Sequence, residues 1–387
     1  MADGLDRMAS PGPRPGPRRG WPWGLLGMLA LVALVESRLG THDLDFTAPW
    51  HWDWRITGRA AEKGEKASGR DVLLFGDSLL KFGVIPRALR DRSGRSAYNF
   101  ALHTGQATSS YFMLRRALDA GARPALIVLD LTPHMLKHGP EENAELWPEL
   151  LSPLECLDLA RATGDASFFA RTMLAKALPT FKERHALRAS LLAALGGEER
   201  TRRWQNLAHR RNWKLNDGAQ LMGDGSPAAI DVDHWVGTLY RRWAPHPVNV
   251  AYLDRFLDLA HSRSIPVAWL LPPNHPAIEA EVLASGYDAE AARFVREVQG
   301  RHPGAVAVID ARRSGFGANE FSDGIHLNRR GALALSALLG EAIRGPVAAD
   351  RWVALDRGRV DRVDLSIEDV YQSALALQAT GSPPGRR

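Results

Sequence analysis

The chain has 387 residues, of which 45% are hydrophobic and 24% are charged, the proportions of an ordinary globular protein. This length allows one large domain with an insertion, or two domains, with a sizeable core. The net charge of +5 is small, and no lysine and arginine block with interleaved aromatic residues stands out, which argues against nucleic-acid binding. The single cysteine, Cys156, excludes an intrachain disulfide and any cysteine-rich metal site.

The start of the chain has the composition of a targeting segment. Residues 1–20 are rich in proline, glycine and arginine, which predicts a disordered basic N terminus. The uncharged apolar run 21–35 predicts a membrane anchor or a signal segment, although a full span needs about 20 residues. The preceding arginines predict a cytoplasmic N terminus and an extracytoplasmic main domain. No small-residue cleavage site follows Val35, so we expect an uncleaved single-pass anchor in the cell membrane; cleavage would secrete the protein.

Residues 36–69 have the composition of a linker. A tryptophan cluster, Trp50, Trp52 and Trp54, precedes a polar stretch that carries several charges. These tryptophans could pack on the following domain or lie at the membrane surface, and the sequence leaves both alternatives open.

From residue 71 onward, short apolar runs alternate with segments of helical periodicity. Nearly continuous apolar runs are typical of strands that are buried on both faces of a parallel sheet. The runs lie at residues 71–75, 97–102, 125–131, 265–271 and 305–309. The helical segments lie at residues 79–91, 108–121, 248–263, 287–299 and 328–343. This alternation predicts an α/β fold with a central parallel five-stranded sheet and helices on both faces.

The alternation breaks between the third and fourth predicted strands. Residues 141–245 are too many for a simple crossover and predict a helical insertion, either a cap or a substrate-binding subdomain. Its tryptophans could stack on sugar rings or serve as packing anchors. Helical stretches within it lie at residues 153–162, 166–177 and 182–195.

The predicted domain, including this insertion, spans residues 70–345. Residues 346–387 form a predicted C-terminal extension. It contains a helix at 366–379 and a disordered tail at 380–387.

A serine directly follows the first predicted strand. Ser78 lies in the sequence FGDSL, residues 75–79, at the carboxyl edge of the sheet, where open α/β folds place their sites. Gly76 permits a sharp turn, and the N–H groups of a helix that begins near Ser78 point toward any oxyanion formed there. The alternative is a helix N-cap, because serine is favoured at that position.

An Asp-x-x-His pattern lies near the other end of the predicted domain. Asp323 and His326 follow the fifth predicted strand, whose carboxyl end shares an edge of the sheet with the first. In a serine mechanism His326 takes the proton of Ser78 and later returns it, while Asp323 holds the imidazole tautomer. A lone histidine at a helix start is more often structural, but the two motifs in this order predict a catalytic triad.

These motifs resemble those of the GDSL/SGNH hydrolases. The first family motif matches at residues 76–79, the last matches at residues 323–326, and the second is similar to residues 99–106. The resemblance covers about residues 71–131 and 248–343 and does not include the insertion.

The resemblance implies a flavodoxin-like three-layer α/β/α fold and an enzyme that hydrolyses esters or transfers acyl groups without a cofactor. It also implies an oxyanion site formed by the N–H groups of Ser78 and Gly105.

The third family motif, which supplies an asparagine as oxyanion donor after the third strand, has no match. Residues 130–134, Asp-Leu-Thr-Pro-His, stand in its place. Losing one such donor can lower the rate by ~10²–10³. Asn274, after the fourth predicted strand, and Thr132 are candidate replacements, and Asp130 could be a site carboxylate or could satisfy backbone donors. The departure resembles that of anchored SGNH-like proteins linked to cell-surface polysaccharide acylation.

Three histidines, His103, His134 and His275, fall near the same predicted edge of the sheet. Imidazole is a common zinc ligand, but their spacing matches no metal signature. We therefore predict neither a metal nor a cofactor.

The sequence favours a membrane-anchored serine esterase or O-acyltransferase in which Ser78 attacks an ester, such as an acetylated cell-surface glycan. The alternative is a catalytically weak SGNH-like module for binding or assembly at the cell surface, because the third motif is missing. A nucleotide-binding protein is disfavoured, since no glycine-rich phosphate loop is present. The acyl chain length, the choice between hydrolysis and transfer, and the oligomeric state stay open.

Overall fold

The computed structural model describes residues 22–197, 201–240, 242–360, 363 and 365–380. The predicted disordered segment 1–20 and residues 381–387 of the predicted tail lie outside the described residues. The chain divides into two compact units, Met1–His42 and Asp43–Arg387.

The apolar N-terminal run forms one long helix, α1 (Trp23–Thr41). The apolar window of this helix has a mean hydropathy of 1.4, and none of that window is buried. Within the described chain it is the one helix long and apolar enough to cross a membrane, a test that an N-terminal signal sequence also passes. The helix continues past the predicted end at residue 35 because no proline interrupts residues 36–41.

The second unit is built on one sheet of six parallel strands in the order β2-β1-β3-β4-β5-β6. The strands are β1 (Val72–Phe75), β2 (Ala97–Asn99), β3 (Leu126–Leu129), β4 (Val267–Leu271), β5 (Val306–Asp310) and β6 (Trp352–Ala354). The chain runs from β1 to one side and then returns to the other side at β3. This reversal makes the carboxyl ends of β1 and β3 a topological switch point, where open α/β sheets form their sites.

The prediction of five strands was wrong, because β6 adds a sixth at the edge of the sheet. β6 has three residues and pairs with β5 in the register Val308↔Trp352. None of its side chains is fully buried, so the segment lacks the continuous apolar run that marks the other strands. Part of the predicted extension 346–387 therefore belongs to the sheet.

Helices cover both faces of this sheet. The helices before β3 are α2 (Asp43–Phe46), α3 (Pro49–Lys63), α4 (Ser78–Gly83), α5 (Pro86–Ser93) and α6 (Ala107–Asp119). Those between β3 and β4 are α7 (Pro133–Lys137), α8 (Trp147–Leu150), α9 (Pro153–Thr163), α10 (Ala166–Ala177), α11 (Pro179–Lys182), α12 (Arg184–Leu195), α13 (Arg203–Leu215), α14 (Val232–Leu239) and α15 (Pro247–Ser262). The remaining ones are α16 (Pro276–Ala284), α17 (Tyr287–Arg301), α18 (Arg329–Ala342) and α19 (Val370–Ala379).

Alternate residues of the strands face two separate cores. On β1, Leu73 and Phe75 pack with α3, α6, α15 and α17, while Val72 and Leu74 pack with α4, α5 and α18. All four side chains are fully buried. This burial on both faces explains the continuous apolar runs and gives the fold three layers, helix, sheet and helix.

Every segment with predicted helical periodicity is helical, but the first is interrupted. Residues 79–91 form α4 and α5, which are separated because Pro86 has no N–H to continue a helix and is well suited to begin one. The insertion is helical, and α9, α10 and α12 lie at its three predicted stretches.

The prediction of a linker at residues 36–69 was wrong for its second half, because α3 is part of the core. Trp54 is fully buried and packs edge-on against Trp147, with ring centroids 5.0 Å apart. Its indole N–H donates to the carbonyl of His103 at 2.7 Å. Of the two alternatives for the tryptophan cluster, Trp52 and Trp54 pack on the domain.

Replacing Trp54 with alanine is expected to lower the free energy of unfolding by about 3–5 kcal/mol, because it removes a large buried side chain and leaves a cavity. Urea denaturation would measure this change. Trp50→Ala is the matched control on the same helix: Trp50 is 45% exposed and its loss should cost about 0.5 kcal/mol or less. Equal effects of the two substitutions would contradict the core role of α3.

The end of the chain also packs on the domain. α19 lies against α13, and the Arg211 guanidinium donates to both carboxylate oxygens of Glu368, at 2.6 and 3.0 Å. The predicted helix at 366–379 is observed from Val370, because Asp369 forms a capping box that begins it there.

Candidate active site

Ser78, the predicted nucleophile, follows a turn that only glycine fits. Gly76 has a φ of +156°, and a Cβ at this position would collide with the carbonyl oxygen of Asp130. Asp77 then caps α4, since its Oδ1 accepts the backbone N–H of Leu79 at 2.7 Å. Ser78 is thus the first residue of α4, and it is not the N-cap that the alternative reading proposed.

Asp323 and His326 lie on a long loop between β5 and α18. α18 packs against α4 and α5 on the β1 side of the sheet, so the loop returns from β5 across the carboxyl edge toward Ser78. An antiparallel bridge closes the loop at residues 321–327. Asn328 then begins α18 by accepting two backbone N–H groups of its first turn. These features fix the loop at both ends.

The structure brings the three predicted triad residues together. His326 Nε2 lies 2.9 Å from Ser78 Oγ, and His326 Nδ1 lies 2.8 Å from Asp323 Oδ2. Asp323 Oδ1 accepts the backbone N–H groups of Ile325 and His326, each at 2.8 Å. Phe82 packs edge-on against the imidazole, with ring centroids 5.3 Å apart. This is the geometry of a proton relay from serine to histidine.

The charge of Asp323 follows from its hydrogen bonds. Burial raises its pKa, but the hydrogen bond and positive charge of His326 and the two backbone donors outweigh burial and leave the pKa below its ordinary value. Asp323 is therefore ionised at neutral pH. It accepts the Nδ1–H of His326, which leaves Nε2 as the acceptor for the hydroxyl of Ser78.

The loop that carries Gly105 lies directly against the nucleophile turn. A Cβ on Gly105 would collide with the carbonyl oxygen of Gly76, and Thr104 beside it has a left-handed φ of +50°. The Gly105 N–H donates to the carbonyl of Leu102 at 3.1 Å, whereas the Ser78 N–H has no acceptor among the described residues. The oxyanion roles of both N–H groups stay predictions, and Gly105 would have to share or release its present bond.

Asp130 and Thr132 lie beside the turn that precedes Ser78. Asp130 is fully buried, and burial together with the nearby charge of Asp77 raises its pKa well above its ordinary value. The Thr132 hydroxyl donates to Asp77 Oδ2 at 2.5 Å. Asp130 and Thr132 therefore contact Gly76 and Asp77, the two residues before Ser78. Thr132 has no hydroxyl hydrogen left for an oxyanion.

Asn274 is the remaining candidate for the third donor. It follows β4, is half-buried, and lines a narrow cavity of about 30 Å³ together with Leu79 and Thr132. A cavity of this size holds one or two groups of the size of water. Asn274 thus follows β4 at the same carboxyl edge of the sheet as Ser78, although Ser78 is not among the residues that line this cavity.

The three rim histidines do not converge. His103 Nε2 lies 3.3 Å from Gln220 Oε1, His134 Nε2 lies 3.3 Å from Thr132 Oγ1, and His275 caps α16. Across the described ranges they form no group of possible metal ligands.

A different group with metal-like spacing, His51, Glu149 and Glu183, has ligand atoms within 4.8 Å of one another. Arg55 donates to both carboxylate oxygens of Glu149, at 2.6 and 3.1 Å, and Lys182 contacts both glutamates. Side-chain cations therefore already neutralise these carboxylates, and the group is an ion-pair network between α3 and the insertion.

Acid is expected to destabilise the fold through His134. Burial lowers the pKa of His134 from 6.5 to about 3, so the folded protein keeps it neutral while the unfolded chain protonates it. This stability is fully present above pH 6.5 and declines by roughly 1.4 kcal/mol per pH unit as the pH falls from 6.5 toward 3. Thermal unfolding at several pH values should therefore show a shallower acid slope for His134→Gln. An unchanged slope would contradict the burial of a neutral imidazole.

The insertion reaches the catalytic loop through Trp235. A Cβ on Gly324 would collide with the indole ring of Trp235 from α14, so only glycine fits between Asp323 and Ile325. Trp235 is half-buried and packs beside Leu239. Packing and sugar stacking were both possible roles for the insertion's tryptophans. Trp235 packs against Gly324, between the two predicted triad residues of the loop.

Sequence reasoning also missed two buried charges near the site, Asp53 and Lys81. Both side chains are fully buried and form an ion pair of 2.6 Å. Each of these charges could have been noticed in the sequence, because each has apolar neighbours. Asp53 lies between Trp52 and Trp54, and Lys81 lies in the apolar stretch after Ser78.

Comparisons of the chain with models of known protein families and with curated proteins found no match. The functional assignment therefore rests on the geometry of the site.

Proposed function

We propose that this protein is a serine esterase or O-acyltransferase of the GDSL/SGNH type, which acts on an ester through an acyl-enzyme on Ser78. The observation that carries the proposal is the continuous relay from Ser78 Oγ through His326 to Asp323. The order β2-β1-β3-β4-β5 of the first five strands, that of flavodoxin-like folds, supports the same assignment.

In the proposed reaction, Ser78 Oγ attacks the ester carbonyl carbon as His326 Nε2 takes the hydroxyl proton. The tetrahedral intermediate collapses when the imidazolium returns this proton to the leaving alcohol. Water or an acceptor hydroxyl then attacks the acyl-enzyme by the same proton route in reverse. Asp323 stays ionised throughout and stabilises the imidazolium, as its lowered pKa favours.

The proposed oxyanion site begins with the unengaged N–H of Ser78. Gly105, from the loop against Gly76, and Asn274, from the rim after β4, are the proposed second and third donors. An ester of a short acyl group, such as an acetylated cell-surface glycan, is the proposed substrate class. The apolar helix α1 supports a membrane-anchored enzyme with this site outside the cytoplasm.

The test uses the full-length protein in detergent with p-nitrophenyl acetate and a fluorophosphonate probe. We expect acetate release and a covalent adduct that peptide mass spectrometry maps to Ser78. An adduct without turnover would indicate a transferase that needs an acceptor, which acetyl transfer to an added glycan would then check. The absence of both adduct and turnover would reject the proposal.

A catalytically weak binding or assembly module is the second candidate. Two observations favour it: the Gly105 N–H already donates to Leu102, and the Thr132 hydroxyl is committed to Asp77. Under this candidate Ser78 would react slowly with the probe, and a glycan would bind without being altered.

A further inference from the structure

A buried ion pair joins α3 to the helix that carries the nucleophile. Lys81 lies one turn after Ser78 on α4, and its Nζ is 2.6 Å from Asp53 Oδ1. Its other two hydrogen bonds go to the backbone carbonyls of Ala101, at 2.9 Å, and of Gly218, at 3.3 Å. Lys81 therefore connects four separate segments: α3, α4, the loop after β2 and the insertion.

Helix α3 also holds the loop after β2, through hydrogen bonds to both the N–H and the carbonyl of His103. The Trp54 indole N–H donates to the carbonyl of His103 at 2.7 Å, and Asp53 Oδ2 accepts the His103 N–H at 3.5 Å. Thr57, one turn later, donates to Asp53 Oδ1 at 3.2 Å. Two consecutive residues of α3 thus fix the peptide groups that precede Gly105.

A third contact to this loop comes from the insertion. Asn143 Nδ2 donates to the carbonyl of Thr104 at 2.8 Å, and the Thr104 hydroxyl donates to Asn143 Oδ1 at 2.9 Å. A left-handed φ at a residue other than glycine persists only where the surroundings determine it, and Thr104 is held in this way.

The held loop reaches the catalytic histidine through one aromatic ring. Phe82 follows Lys81 and packs edge-on between two imidazoles, with its ring centroid 4.8 Å from that of His103 and 5.3 Å from that of His326. A shift of His103 would therefore move the ring that supports His326. The loop also carries Gly105, so one network controls both sides of Ser78.

We propose that Asp53 and Lys81 are positioning residues, which hold loop 101–105 and α4 in the arrangement that aligns Gly105 and His326 with Ser78. This inference rests on the proposed function and adds that α3 is part of the active-site scaffold. An ion pair with no exposed surface is seldom the most stabilising choice, because apolar replacements of similar volume are often equally stable. Its retention here fits a role in geometry.

The test compares variants at a temperature below the unfolding transition of each. Trp54→Phe keeps an aromatic ring but removes the donor to His103 together with part of the buried indole, and Asp53→Asn removes the charge that Lys81 faces. Asp53→Asn/Lys81→Met removes both charges and avoids an unpaired buried one. Glu155→Gln is the matched control, since Glu155 forms a buried ion pair with Arg116 that is not part of the network.

For p-nitrophenyl acetate, we expect kcat to fall by about 10- to 100-fold in the Trp54 and Asp53 variants, with KM within a factor of about three. The double variant should regain thermal stability relative to Asp53→Asn but keep the low kcat, whereas Glu155→Gln should lose stability and keep its kcat. Parent-like kcat in the Trp54 variant and the double variant would overturn the proposal.

Amide hydrogen exchange of loop 101–105 gives a readout that does not depend on the esterase assignment. We expect exchange in this loop to be about tenfold faster in Trp54→Phe and Asp53→Asn than in Glu155→Gln. If the parent shows no turnover, the proposed function fails, and exchange alone decides the role of the network. Unchanged exchange in both network variants would overturn it.

Discussion

Ser78→Ala is expected to lower kcat/KM for p-nitrophenyl acetate by on the order of 10⁴–10⁶ while the fold stays intact. The reason is that the Ser78 hydroxyl lies 2.9 Å from His326 Nε2, and without it no acyl-enzyme can form. Steady-state kinetics together with the loss of fluorophosphonate labelling would measure this effect. Circular dichroism and thermal unfolding should match those of the parent, because Ser78 is not the helix cap.

Ser322→Ala is the matched control for this prediction. Ser322 lies on the catalytic loop, but its hydroxyl donates to the backbone carbonyl of His326 at 3.2 Å and does not contact the imidazole. We expect its loss to change kcat/KM by less than about tenfold, the effect of one weak hydrogen bond. If Ser322→Ala were as inactive as Ser78→Ala, or if Ser78→Ala retained turnover, Ser78 would not be the nucleophile.

Asp323→Asn should lower kcat by about 10³–10⁴ with a smaller change in KM. An amide at this position can donate to Nδ1, which would place the imidazole proton on Nε2, the atom that must accept the proton of Ser78. The substitution also removes the negative charge that stabilises the imidazolium. The overall geometry should survive, since an amide oxygen can still accept the backbone N–H groups of Ile325 and His326.

Asp224→Asn provides the control for Asp323. Asp224 forms an ion pair with Arg329 at the start of α18, three residues after His326, and it makes no contact with the imidazole. We expect its substitution to leave kcat within about threefold of the parent, because partly exposed ion pairs contribute little. Comparable losses in the two variants would show that the loop responds to any charge change and that Asp323 has no special role.

The sequence predicted the elements whose burial leaves a simple pattern. β1 to β5 are buried on both faces, so their residues are continuously apolar, and Ser78 and His326 follow two of them at the same edge. β6 escaped prediction because an edge strand of three residues with partial exposure has no such pattern. α3 escaped because its polar residues, read along the chain, resemble a linker, and its buried face mixes tryptophans and alanines with polar residues such as Asp53.

Tertiary contacts explain the remaining misses. The pairing of Asp53 with Lys81 and the packing of Trp235 on Gly324 join residues that are far apart in the chain. No spacing rule connects such residues, since their proximity depends on where the completed sheet and insertion lie. Thr132 was a candidate oxyanion donor because it follows the third strand, and only the position of Asp77 shows that its hydroxyl is already engaged.

The burial of α3 has a consequence for how the chain is made. Trp54 leaves the ribosome 49 residues before its partner His103, and Trp147, against which it packs edge-on, comes later still. At roughly 5–20 residues per second, the buried tryptophans of α3 stay uncovered for several seconds before the groups that cover them are made. During synthesis α3 therefore exposes apolar side chains that the folded domain buries. We expect chaperones that act early, or the surface of the bilayer, to bind them until the domain folds.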